Sequence, residues 1–276
     1  MALLEPLRKA AVRTIKPHVS NDTWRRIKSL DPRGRGANGA AEALPPLSEW
    51  DMVSLARHFG TDKWGSHRYA PHYEHHFLPF KNDTFSLLEI GIGGYAREKQ
   101  GGASLRMWKA FFPNAQIIGL DIEDKSFVVE DRIKAYQGSQ VNVPLLRTIV
   151  DESDNLQIII DDGSHRSDHI RTTFEALFPL LPPGGLYAIE DTQTSYWPRF
   201  GGSEDIDDPT TSMALVKRLV DGLNYEEWRQ WDYEPTYADE HVVAVHCYHN
   251  LVILEKGENN EGTNRKIPPP PDVAAS

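Results

Sequence analysis

The chain has 276 residues, 39% of them hydrophobic and 25% charged, so it can bury a large core and belongs to neither the fibrous nor the low-complexity classes. Its net charge of −10 is unevenly spread: residues 1–35 hold nine Lys and Arg against three acids, a balance of +6 that leaves −16 for the rest. An acidic body argues against nucleic acid as a partner; no apolar run reaches the length of a membrane span, no signal-peptide pattern opens the chain, and one cysteine, Cys247, excludes a disulfide framework and suits a reducing, cytoplasmic setting.

Leu4, Leu7, Ala11 and Ile15 trace one helical face, and Trp24, Ile27 and Leu30 a second. Residues 31–46 carry Pro, Gly and Arg without periodicity and read as a linker. Residues 1–47 are therefore expected to form a helical appendage, suited to contacts in a homo-oligomer or to covering a site. A helix is predicted over 47–60. Five of the eleven histidines crowd into 58–76. A zinc reading of His72, His75 and His76 with Glu74 fails on spacing, because adjacent helical residues point about 100° apart and no cysteine assists. A lining for a polar pocket is the better reading.

Residues 85–90 are the first expected strand, running into Gly91-Ile-Gly-Gly94. A helix over 104–112 stops at Pro113; strands follow at 116–121 and 132–136, the last leading into Gln137-Gly-Ser-Gln140. Two short apolar runs then end in acid pairs: Leu156-Gln-Ile-Ile-Ile-Asp-Asp162, continuing to His165, and Gly185-Leu-Tyr-Ala-Ile-Glu-Asp191. Continuous apolar runs of this length read as strands buried on both faces of a parallel sheet. An amphipathic helix lies between them, with Ile170, Phe174, Leu177, Phe178 and Leu181 on one face and Pro182-Pro183-Gly184 as its stop. Strand, helix, strand makes the two strands parallel, so both acid pairs leave the sheet at one carboxyl edge, where open α/β sheets bind ligands. Further on, an acidic loop at 201–208 precedes a helix over 211–223 and an aromatic stretch holding Tyr225, Trp228, Trp231, Tyr233 and Tyr237. Two β-rich runs, 241–248 and 251–256, joined by His249-Asn250, form an antiparallel hairpin, and 257–276 is expected to be a disordered tail.

The chemistry follows from these positions. Glycines after the first strand let backbone approach a nucleotide-like cofactor, but Ala96 at the third position of the dinucleotide fingerprint argues against a pyrophosphate seat. Glu89 before those glycines resembles instead the pattern of S-adenosylmethionine (SAM) methyltransferases, and Asp121 at the end of the second strand is placed to accept from ribose hydroxyls. Asp161, Asp162, Glu190 and Asp191 are too many carboxylates for one crevice without a cation, and Mg²⁺ is the default hard ion. His165, three residues beyond Asp162, suits a general base, with His169 next in line. Tyr196 and Trp197 offer flat faces to a sugar ring, with Gln193 beside them.

At these residues the chain resembles the metal-dependent sugar O-methyltransferases of the mycinamicin type, which act on macrolide sugars, and related enzymes of methylated mannose polysaccharides. The resemblance rests on Gly60-Thr-Asp-Lys63, Gly101-Gly-Ala-Ser-Leu-Arg-Met-Trp108, Asp162-Gly-Ser-His165 and Glu190-Asp-Thr-Gln-Thr-Ser-Tyr-Trp197, and covers roughly residues 48–256. It implies a Rossmann-like class I methyltransferase, with a mostly parallel seven-stranded sheet and a carboxyl-terminal antiparallel hairpin. It also implies that Asp162, Glu190 and Asp191 hold Mg²⁺, that His165 is the base, and that Thr61, Glu89, Gly91, Gly93, Ser104, Asp121, Gln137 and Asp161 surround SAM. The acceptor it implies is a sugar-bearing small molecule or an oligosaccharide. The macrolide-sugar enzymes carry a sizeable additional amino-terminal domain, whereas residues 1–47 precede the core here. Two rival readings share this pattern: a cephalosporin-hydroxylase-like enzyme and a non-catalytic SAM-binding module, the latter disfavoured because a module needs no base.

Overall fold

A computed structural model describes residues 45–95, 99–228, 230 and 232–263. The expected amino-terminal helices, the expected linker up to residue 44, Ala96, Trp231 and most of the carboxyl-terminal tail lie outside the described residues. The chain divides into two units, 1–51 and 52–276. Of the first, the described part contains one 3₁₀ turn, Leu47–Glu49. The single helix predicted over 47–60 is thus broken at Trp50 and Asp51, and α1 spans Met52–Phe59.

The second unit is built on a seven-stranded sheet: β1 (Ser86–Ile90), β2 (Gln116–Asp121), β3 (Ile133–Gln137), β4 (Leu156–Asp161), β5 (Leu186–Glu190), β6 (Val242–Tyr248) and β7 (Leu251–Lys256), in the order β3-β2-β1-β4-β5-β7-β6. The first five strands are parallel and β7 runs antiparallel between β5 and β6. This is the class I methyltransferase architecture. β1 and β5 are buried along their whole lengths and β4 at every residue but Gln157. That is why their sequences lack alternation: both faces are covered, so no solvent-facing set of positions recurs at every second residue.

Helices α2 (Ala70–Phe77), α3 (Ala103–Phe111), α4 (Val143–Asp151), α5 (Ser167–Leu177), α6 (Ser212–Gly222) and α7 (Tyr237–His241) complete the unit. On α5, Ile170, Phe174 and Leu177 join Tyr187, Ile189 and Leu254 of the sheet in one core cluster. Each such side chain contributes roughly 1.5–3 kcal/mol on burial. Sequence reading passed over α4, although Asn142 caps it by accepting from the Leu145 N–H and Pro144 sits in its first turn. It also passed over α7, whose Thr236 and Asp239 form a capping box.

Strand order reverses between β1 and β4, so the topological switch point lies where Gly91 leaves β1 and Asp162 leaves β4. There the backbones nearly touch. A Cβ on Gly91, at φ +93°, would stand 2.1 Å from the Asp162 carbonyl oxygen. Only glycine fits both the left-handed conformation and the close approach.

Candidate active site

Two cavities open on this edge and share Gly91 and Tyr95 in their walls. One, of about 530 Å³, is lined by Thr61, the Gly91–Gly94 turn, Ser104 and Asp162 among others. The other, of about 290 Å³, is lined by Asp121, Gly138, Gln140, Ser164 and His169 among others. Glu89 lies buried beneath, accepting a 2.7 Å hydrogen bond from Ser104, and its second oxygen has no hydrogen-bond partner. Burial pushes the Glu89 carboxyl up to about 7, even with Lys63 and Ser104 opposing the shift.

Asp121 ends β2 as expected, but its carboxylate is already busy. It accepts from the backbone N–H of Ile92 at 2.8 Å, the Tyr95 hydroxyl at 2.9 Å and the N–H of Glu123 at 2.9 Å. Three of a carboxylate's roughly four acceptor positions are therefore in use. Gln137, placed near SAM from sequence, is exposed, donates weakly to the Ile122 carbonyl at 3.5 Å and lines neither cavity. Gln140, three residues on, lines the smaller cavity, donates to Asp161 at 3.1 Å and accepts from the Ser164 N–H at 2.7 Å. Asp161 is buried behind it, its carboxyl raised to about 6 by burial, and lines neither cavity.

The acid pairs sort into two clusters that meet at Asp162. In the inner one, the Lys63 ammonium, 1% exposed, lies 2.5 Å from Asp162, 2.9 Å from Glu190 and 3.4 Å from Glu89. Burial alone would lower the Lys63 pKa, but Asp162, Glu190 and Glu89 hold it well above its ordinary range. Tyr73 also donates to Glu190 at 2.6 Å. Burial, then repulsion from Asp162, holds Glu190 far above the usual carboxylate range. Sequence reasoning foresaw that this crowd of acids needs a cation; it did not foresee that the chain supplies one itself.

The outer cluster joins Asp162, His165 and Asp191, whose nearest donor atoms all lie within 4.8 Å of one another. His165 Nε2 stands 3.5 Å from Asp191 and 4.0 Å from Asp162. Tyr69 donates to the other Asp191 oxygen at 2.7 Å. Burial would raise the Asp191 carboxyl, yet Tyr69 and the imidazoles of His165 and His67 hold it below its ordinary value. Both His165 (φ +55°) and Asp191 (φ +53°) are non-glycine residues in the left-handed region, conformations that cost of order 1–3 kcal/mol each. One buried hydroxyl braces both, since Thr194 Oγ1 lies 2.8 Å from the carbonyl oxygen of each residue.

Of the three metal ligands expected from sequence, then, Asp162 and Asp191 face His165, and Glu190 faces inward to Lys63. The outer pair are hard oxygen donors on partly open side chains, a donor set that fits Mg²⁺ with several waters. The glycine-lined cavity, with Asp62 and Asp162 among its lining residues, fits a cationic cofactor, and no atom lies within 4 Å of a Cβ built on Gly93. Tyr196 ends and Trp197 follows the 3₁₀ segment Thr192–Tyr196 just beyond Asp191; they are 43% and 47% exposed, and Gln193 is on the same segment. His169, the second candidate base, faces the smaller cavity and is bonded to Ser164 at 2.8 Å. Of the downstream aromatics, Trp228 lies under the Arg218 guanidinium, which pairs with Asp239 at 2.8 Å.

No protein-family model matches the chain. Among curated proteins it is 48% identical over 227 residues to demethylmacrocin O-methyltransferase of Streptomyces fradiae, covering 81% of this chain and 56% of that protein. It is 46% identical to mycinamicin VI 2''-O-methyltransferase of Micromonospora griseorubida, with the same two coverages. It is 45% identical to 8-demethyl-8-alpha-L-rhamnosyl tetracenomycin-C 2'-O-methyltransferase of Streptomyces olivaceus, over 76% of this chain and 55% of that one. The chain thus spans little more than half the length of these relatives. Among solved structures, the MycE methyltransferase of the mycinamycin biosynthetic pathway, in complex with Mg, SAH and mycinamycin VI, superposes with a TM-score of 0.75 at 46% identity, covering 80% of this chain and 57% of that one.

Proposed function

The chain resembles the macrolide- and polyketide-sugar O-methyltransferases across 81% of its length, and from that premise we propose that it transfers a methyl group from SAM to a sugar hydroxyl of a glycosylated natural product, with Mg²⁺ as its metal. The observation that carries this reading is the outer cluster, where Asp162, His165 and Asp191 converge at the switch point beside the glycine-lined cavity.

When bound, Mg²⁺ supplies Lewis-acid and template chemistry for adjacent sugar hydroxyls, and SAM supplies an electrophilic methyl on a sulfur that leaves as a neutral thioether. Asp162 and Asp191 would hold the cation, with Glu190 as the inner third carboxylate. Thr61, Gly91, Gly93 and Ser104 would surround the methionine half of SAM, and Gln140 and Asp121 the nucleoside half. His165 Nε2 takes the proton of the acceptor hydroxyl. Asp191, 3.5 Å away, stabilises the imidazolium that forms. Gln193, Tyr196 and Trp197 orient the sugar; the protein's remaining contribution is alignment of hydroxyl oxygen, methyl and sulfur.

The test is to incubate the protein with SAM, Mg²⁺ and three acceptor sets: desmethyl macrolide glycosides, rhamnosylated polyketides and oligomannosides. Product masses are then read. A methylated macrolide or polyketide glycoside supports the proposal. Methylation of oligomannosides alone would move the acceptor to polysaccharide. SAM binding with no methylated product in any set would reduce the chain to a binding module.

A further inference from the structure

Away from the sheet edge, the histidine-rich stretch meets the carboxyl-terminal hairpin. His76 on α2 lies against His246 on β6 and Glu255 on β7, one donor atom of each falling within 4.8 Å of the other two. We propose that these three residues form a binding site for one divalent ion of the zinc class.

The fold sets this trio up from three separate elements. Ala244 pairs with Glu255 and His246 with Ile253, so His246 and Glu255 are diagonal neighbours on one face of the hairpin. His246 Nε2 stands 2.7 Å from Glu255 Oε1, and His76 Nδ1 stands 4.0 Å from that same oxygen. Tetrahedral Zn²⁺ with bonds near 2.0–2.2 Å holds its donor atoms about 3.4 Å apart, so the two distances bracket what an ion requires. The other His76 nitrogen, Nε2, is 2.9 Å from the Tyr248 hydroxyl. That partner fixes the ring and leaves Nδ1 as the free donor, the outer-shell arrangement that ligating imidazoles show. His76 is also neutral: burial, then the neighbouring His246 and His75, lower its pKa to about 4. Two imidazoles and a carboxylate, with His246 and Glu255 each about one-third exposed, leave room for water as a fourth ligand.

The other members of the quartet weighed from sequence are engaged elsewhere. His72 stacks on Tyr248 at 3.8 Å, His75 meets His76 ring edge to face, and Glu74 accepts the Met52 N–H at 3.2 Å. Only His76 faces the hairpin donors. An ion there would tie α2 to β6 and β7, a role separate from the acidic edge.

Chelator-stripped protein is placed in excess Mg²⁺, which occupies hard oxygen sites, and titrated with Zn²⁺ by calorimetry. Wild type and Asp162→Asn should each bind one Zn²⁺ per chain, with a rise in melting temperature. His246→Ala should weaken binding by more than the about 10–100-fold that loss of an outer-shell partner costs. Glu255→Gln should do the same and stands in if His246→Ala fails to fold. Undiminished Zn²⁺ binding in a folded His246→Ala or Glu255→Gln protein would overturn the proposal, as would loss of all Zn²⁺ binding in Asp162→Asn.

Discussion

Around Lys63, the buried carboxyl groups of Glu89 and Glu190 and the partly open one of Asp162 share a single fixed ammonium. On the outer side of Asp162, the carboxylate of Asp191 and the ring of His165 are partly open, held in left-handed backbone. The same kind of residue therefore does two jobs at one sheet edge. Inside, charge is balanced by the protein, because isolated buried charges are too costly to keep. Outside, charge is left for a ligand to balance. The contrast separates acids that the protein itself pairs from acids left open to a ligand, though both came from the same two strand ends.

Asp162 belongs to both clusters, so its loss should be the largest single effect. Asp162→Ala should reduce turnover beyond the about 10²–10⁴-fold typical of removing a general base, and should also lower the melting temperature by stripping Lys63 of its nearest partner. Steady-state kinetics and calorimetric melting together check this; a change in only one of the two would break the idea that the clusters share a member. His165→Ala should act on the outer cluster alone. kcat should fall by about 10²–10⁴-fold and recover in part at alkaline pH, while Mg²⁺ and SAM still bind. Loss of metal binding in that variant would make His165 a ligand instead. Lys63→Met should act on the inner cluster, costing about 3–5 kcal/mol of stability, since it leaves buried carboxylates uncompensated. Denaturant unfolding measures it, and a cost under about 1 kcal/mol, the worth of a surface pair, would show the ammonium is dispensable.

Much of this was legible before any coordinates. Strands β4 and β5 announced themselves because burial on both faces forces an unbroken apolar run, and a sheet edge follows from two parallel strands ending in acids. The antiparallel hairpin was equally plain, since the two residues His249 and Asn250 cannot span a crossover. Lys63 was not legible as the inner cation. Its partners lie 99 and 127 residues away, and nothing local to a polar loop marks a lysine as buried. Gln137 and Gln140 show the same limit on a smaller scale. Where β3 ends decides which glutamine turns toward the cavity, and composition is silent on that. The hairpin donors for His76 were hidden for the same reason as the partners of Lys63.

The gentler predictions sharpen the contrast. Glu89 is raised by burial from 4.5 to about 7 in the fold. A group with a raised folded pKa contributes stability that is complete below its unfolded value and is lost as pH climbs through the folded one. The wild-type protein without ligands should therefore lose stability between about pH 4.5 and 7, and Glu89→Gln should lose less over the same window. Parallel melting-temperature profiles across that range would remove Glu89 from the inner balance. The smallest effect belongs to the rim. Trp197→Ala should raise KM for the sugar acceptor by about 2–10-fold, the worth of one aromatic contact, and leave kcat and melting temperature unchanged.

Thr194 gives the arrangement a division of another kind. Thr194 is 2% exposed and its hydroxyl lies against the backbones of both His165 and Asp191, so the spacing between imidazole and carboxylate is set from inside the protein. The exposed rings of Tyr196 and Trp197, the surface proposed to meet an acceptor, lie outside that brace. On the proposed function, variation there would retune which sugar docks without disturbing the interval over which a proton moves, and a lineage of such enzymes could change clientele while its reaction stays still.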